Sequence, residues 1–188
     1  SNKSESIEQA MMLLDALHED NPEIWNIFLS ENGILRSPSW LSIQKAFVEL
    51  WLLGYNAKLQ KKEVTKIYCT QKLALLPHSC SYITTAKEIN LSVVNFDSHL
   101  LHIILANPSL NKLTISFDSL SLTTEERTTL LGKDSITNLE LNYTGDHLLS
   151  LDLSNLIHLQ YIRIRSSHDV VISGIPEGPI KSLSISSA

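Results

Sequence analysis

Several things that would mark a chain for export or catalysis are scarce or missing here. Two of the 188 residues are cysteine, Cys69 and Cys80. Two are too few for a disulfide scaffold, and without CxxC spacing they read as buried thiols. No apolar run approaches the length of a membrane span, and no signal peptide is present. The chain therefore reads as cytoplasmic, with no membrane span, and the matches to glycosylation sequons at Asn90-Leu91-Ser92 and Asn142-Tyr143-Thr144 carry no weight. Net charge is −5, with no dense run of one sign. A nucleic-acid partner needs a basic stripe, so none is expected. Phosphate-cradling Gly-rich loops and Walker, HExxH, GxSxG and kinase phrases are all missing.

What the sequence does have is one phrase that returns: apolar, two variable, apolar, one variable, apolar. It reads Leu110-x-x-Leu113-x-Ile115, Ile136-x-x-Leu139-x-Leu141, Leu159-x-x-Ile162-x-Ile164 and Ile180-x-x-Leu183-x-Ile185. A weaker copy, Ala86-x-x-Ile89-x-Leu91, precedes them, and the starts lie 24, 26, 23 and 21 residues apart. Alternation at the last two apolar positions predicts a half-buried strand. One such unit cannot bury its apolar side alone, whereas stacked neighbours can.

Over roughly its second half the chain resembles the leucine-rich-repeat family. The resemblance implies an α/β fold: a solenoid of about five divergent repeats with a curved parallel sheet over residues 81–188, preceded by an all-α domain over residues 1–80. Secreted members of the family carry Cys-rich caps, and none is present here. Many repeats of the family also place Asn three residues after the last strand apolar position. This chain has Val94, Asp118, Thr144, Ser167 and Ala188 there, so irregular turns are expected. The chain starts at Ser1-Asn2 without Met and ends directly after a phrase with no polar cap, so the array is expected to continue beyond Ala188.

The segments between phrases fit a return path. Asp97-Ser98 caps a helix predicted over 99–106, which Asn107-Pro108 stops. Thr123 and Glu126 form a capping-box pattern ahead of Leu130 and Leu131, with Gly132 to close the helix. The returns at 144–155 and 167–179 are shorter and are predicted to be more loop-like.

The first eighty residues change period. Ile7, Met11, Leu14 and Leu17 predict a helix over 4–19. Asn21-Pro22 starts a second, with Ile24, Trp25, Phe28 and Leu29, ended by Gly33. Ser37-Pro38 starts a third, the most apolar, ended by Gly54. Leu59, Val64, Ile67, Tyr68, Leu73 and Leu75 predict a fourth over 57–76. The far end of this helical domain is expected to cap the first repeat, whose sheet edge would otherwise be bare.

Residues suited to chemistry do not converge. His99 and His102 share a helix face, but no further ligand stands one turn on. Asp152, Ser154 and His158 lack the sharp nucleophile turn of a triad. Glu125-Glu126 reads as first-turn helix charge. No enzyme activity, metal or small-molecule cofactor is expected. In the family the outward strand residues line the concave face and bind partners. Here those columns are mostly small and polar, except around the third and fourth strands. Phe117, Glu140, Tyr143, Tyr161, Arg163 and Arg165 gather there, rich in the Tyr and Arg that dominate binding hot spots. Glu140 is placed to pair with Arg163. The implied function is a non-catalytic module that binds a protein partner on the concave face. Helices ahead of repeats are also similar in order to nucleotide-binding leucine-rich-repeat immune receptors, where such a segment senses or autoinhibits, and to bacterial leucine-rich-repeat effectors.

Overall fold

A computed structural model describes residues 38–154, 158–174, 178 and 180–187 and, before them, 9, 10, 12, 13, 15–17 and 23. The second helix expected from Asn21 to Gly33 lies outside these apart from Glu23. The chain divides into two compact units: residues 1–62 with 73–82, and residues 63–72 with 83–188.

In the first unit the described positions between 9 and 17 are helical. Helix α1 spans Pro38–Gln60, beginning at the Pro whose fixed φ suits a first helical turn. Phe47, Leu50 and Trp51 are buried, and Trp51 stacks on Tyr55 with ring centroids 4.9 Å apart. Gly54 does not end this helix. A Cβ there would lie 2.2 Å from the Ser79 carbonyl oxygen, so glycine is required because the 3-10 turn His78–Tyr82 crosses at that point. The helix stops about two turns later, where Lys61 takes a left-handed φ of 49°. Asp15 is buried and its carboxylate accepts from the His78 backbone N–H, capping the 3-10 turn from far away in the sequence. Burial holds its pKa above the ordinary aspartate value, against hydrogen bonds that pull it down.

The second unit carries a six-stranded parallel sheet. Its strands are β1 (Lys66–Leu73), β2 (Glu88–Phe96), β3 (Lys112–Leu120), β4 (Asn138–Tyr143), β6 (Tyr161–Ser166) and β8 (Ser182–Ser187), in the order β1-β2-β3-β4-β6-β8. The apolar positions of the phrase stand in register: Ile89, Leu113, Leu139, Ile162 and Leu183 form one row, and Leu91, Ile115, Leu141, Ile164 and Ile185 the next.

Strand β1 replaces the second half of the expected fourth helix. Val64-x-x-Ile67-x-Cys69 is a further copy of the phrase, 22 residues before Ala86, and all three side chains are buried. Its backbone behaves like the others. The Thr65 carbonyl accepts from the N–H groups of Lys87 and Glu88, as Lys87 does from Asn111 and Lys112. The same doubled bond recurs from Asn111 to 137 and 138, from Thr137 to 160 and 161, and from Gln160 to 181 and 182. The edge of β2 is thus closed by a strand, which satisfies its backbone groups directly.

Behind the sheet run the return segments. Helix α2 (Ser98–Leu105) follows β2, capped by Asp97 through a 3.0 Å bond from the Leu100 N–H. Helix α3 (Thr124–Leu131) follows β3 with the expected capping box between Thr123 and Glu126, and ends at Gly132. The next two returns are strands, not loops: β5 (Leu149–Asp152) and β7 (Val170–Ser173) pair in parallel. A four-residue strand satisfies its backbone in less chain than a helix needs, which suits the shorter spacing.

The core lies between the two layers. Phe96 meets Phe117 edge-on at 5.7 Å, and Phe117 meets Tyr143 at 5.3 Å. Asn107 is fully buried. Its amide donates to the Ala86 carbonyl at 2.6 Å, and its side-chain oxygen accepts from the Ser109 N–H. It ties the end of one return to the start of the preceding phrase.

Candidate functional site

A strand that buries alternate residues must show the others, and in-register parallel strands turn those others into columns. Three columns face away from the core. One is Glu88, Lys112, Asn138, Tyr161, Ser182; the next is Asn90, Thr114, Glu140, Arg163, Ser184; the third is Ser92, Ser116, Asn142, Arg165, Ser186. Strand β1 brings Lys66, Tyr68 and Thr70 to the same face, where Tyr68 is 71% exposed. Sequence reasoning missed these three because the segment also fits a helical period. The signal that finds them is the phrase itself, with Cys69 in its third place.

Of the six residues expected to bind a partner, the structure brings four to this face. Tyr161, Arg163 and Arg165 are exposed along β6, and Glu140 lies on the neighbouring β4. Phe117 and Tyr143 are elsewhere: they are 1% and 4% exposed and stack inside the core, out of a partner's reach. The reason is plain alternation. Phe117 is two residues on from buried Ile115, and Tyr143 is two on from buried Leu141, so both point inward. The inward column continues to Ser166, also buried, whose hydroxyl accepts from the His168 N–H.

The charges of the face are partly paired. Lys66 and Glu88 are 3.3 Å apart, and Arg165 reaches Glu140 at 3.8 Å. Glu140 therefore pairs diagonally with Arg165, not with Arg163 directly opposite. One register step further, Lys72 contacts both carboxylate oxygens of Asp118 at 2.6 and 2.7 Å, spanning β1 to β3. The Thr144 hydroxyl also donates to Asp118 at 2.5 Å. Lys72 first, and Thr144 after it, hold the Asp118 pKa below its ordinary value. Asp118, Thr144 and Lys72 thus build a polar strip on the surface.

Two recesses open on this face. One, of about 200 Å³, is lined by Lys112, Thr114, Glu140, Tyr161, Arg163 and Ser184 among others. The other, of about 420 Å³, lies over β1 to β4 and includes Tyr68, Asn90, Thr114 and Asn142.

The residues weighed for catalysis are dispersed. Ser154 donates to Asp152 through both its N–H and its hydroxyl, at 2.9 and 2.7 Å, which makes a local Asx turn. His158 stands 3.0 Å from Asp134 instead. Among the described residues no three His, Cys, Asp or Glu side chains are grouped to hold a metal ion. Cys69 and Cys80 are buried and are not joined to each other. No helix among the described residues is long and apolar enough to cross a membrane.

Comparison of the chain with protein-family models, with curated proteins and with solved structures finds no match.

Proposed function

We propose that this chain is a non-catalytic interaction module of the leucine-rich-repeat kind, which binds a protein partner on the outward face of its six-stranded sheet. One observation carries this reading. Three in-register columns present a continuous surface of side chains, mostly small and polar, with Tyr161, Arg163 and Arg165 projecting from β6, one strand in from the β8 edge. Such a face is rigid, because every strand is fixed by its neighbours, so a partner loses little of its binding energy to ordering it. Small polar residues let a partner's backbone approach closely, while exposed Tyr and Arg supply the anchors. Tyr68 adds a second exposed aromatic at the opposite end of the sheet.

The test is capture of partners from cell lysate with two proteins, the unaltered chain and a Tyr161→Ala/Arg163→Ala/Arg165→Ala variant. Circular dichroism first checks that both fold. A partner held by the first and lost by the second is expected. A partner held equally by both would remove the sheet face as the binding surface.

A further inference from the structure

The distribution of charge on the sheet face is at odds with that of the whole chain. The chain carries a net −5, yet the three outward columns with β1 hold four cations, Lys66, Lys112, Arg163 and Arg165, against two acids, Glu88 and Glu140. The acids are already engaged, Glu88 by Lys66 and Glu140 by Arg165. Among the described residues no acidic side chain lies within ion-pair distance of Lys112 or Arg163. These two cations line one recess, on opposite sides of Glu140. Tyr161 shares that recess, with the Lys181 ammonium 5.9 Å from its ring centroid.

Resting on the interaction reading above, we propose that this recess takes an acidic, extended peptide segment of the protein partner, whose carboxylates lodge against Lys112 and Arg163. Alternate side chains of an extended peptide face the same way and stand roughly 7 Å apart. A segment with acidic residues at every second position can therefore reach both cations, whose long stems take up the remaining distance. Glu140 and Asn138 lie between them and can accept the peptide's backbone N–H groups. Two open cations fall short of the basic stripe that a nucleic acid needs.

The experiment is fluorescence anisotropy at low ionic strength with three labelled probes: a ten-residue Glu–Ser alternating peptide, a Lys–Ser peptide of equal length, and an oligothymidylate. General attraction to a chain of net charge −5 favours the basic probe, so preference for the acidic one reports the local site. The Glu–Ser peptide is expected to bind about tenfold or more tightly than the Lys–Ser peptide, with affinity falling as salt rises. Lys112→Ala and Arg163→Ala are each expected to weaken it about threefold to tenfold. Lys133→Ala, on the return side where its ammonium donates to the Leu105 carbonyl, should leave it unchanged. Equal binding of the two peptides, tighter binding of the oligothymidylate, no measurable binding, or indifference to both recess variants would each overturn the proposal. If any of these occurs while the lysate partner is still lost with the β6 variant, the interaction reading stands and only the acidic ligand falls. If the lysate partner is indifferent too, both fall.

Discussion

Strands β3 and β8 carry the same phrase and meet different fates. In β3, Leu113 and Ile115 are fully buried. In β8, Leu183 and Ile185 occupy the same register rows and remain 48% and 50% exposed. The difference lies in the neighbours. β3 has β2 on one side and β4 on the other, and α2 and α3 pack together behind it. β8 pairs with β6 on one side. An apolar side chain in this pattern is only eligible for burial, and the adjacent repeat completes it.

Truncation of matched positions breaks the comparison most sharply. Leu113→Ala is expected to cost about 3 kcal/mol or more, since it removes contacts on every side and leaves a cavity. Leu183→Ala should cost about 1 kcal/mol or less, because half of that side chain is already in water. Urea unfolding followed by circular dichroism measures both, and equal costs would mean that the phrase, not its neighbours, sets the energy.

Asn107 extends the comparison to a buried polar tie. Asn107→Ala leaves the buried Ala86 carbonyl without that partner and removes the acceptor of the Ser109 N–H, so a loss of about 2 kcal/mol is expected in the same unfolding assay. Asn107→Asp, which keeps the acceptor but buries a charge and loses the donor to Ala86, should be no better tolerated.

Smaller still is the cap of α3. Thr123→Ala removes the hydroxyl that accepts from the Glu126 N–H and should cost about 1 kcal/mol. Thr123→Ser should restore most of it, and failure to do so would show that the methyl group, not the cap, matters.

The smallest effects are electrostatic, and two aspartates shift in opposite directions. The pKa of Asp118 is lowered by Lys72, so its contribution to stability is present above the ordinary value of 3.8 and is lost as pH falls through the lower folded value. The pair is half exposed, so Lys72→Met should cost under about 1 kcal/mol at neutral pH, and nothing once Asp118 is protonated. The pKa of Asp15 is raised by burial, so its folded state is favoured when protonated and loses stability as pH rises through the folded value. Asp15→Asn should flatten that loss, and a pH series of thermal melts separates the two slopes by sign.

The sheet was largely legible in the sequence because the phrase encodes which side chains point inward. Strands β2, β3, β4, β6 and β8 lie on its copies, and both return helices begin at the caps their Asp and Thr announce. Strand β1 was hidden for a local reason. Val64, Ile67 and Leu73 fit a helical spacing as well as the phrase, and Cys69 is a weak apolar signal. Gly54 misled because a glycine that ends a helix and a glycine that admits a crossing chain look alike without the Ser79 backbone in view. The site was half legible. Three outward columns follow from the register of the phrase, whereas the row of Val93, Phe117, Tyr143 and Ser166, also read as part of that face, points inward. Burial of Phe117 and Tyr143 followed from alternation but was masked by their reputation as binding residues. Pairing was not legible, because the long arms of Arg163 and Arg165 are free to reach Glu140 either straight across or diagonally, and only geometry chooses.

The most direct measurement places a photo-cross-linking amino acid at one of two positions. Thr114 lines both recesses of the sheet face, and Glu125 is exposed on helix α3 of the return layer. Each protein is irradiated in cell lysate after its fold is checked. A cross-linked partner band from position 114 and none from position 125 is the expected result. A band from 125 with none from 114 would contradict the assignment of binding to the strands.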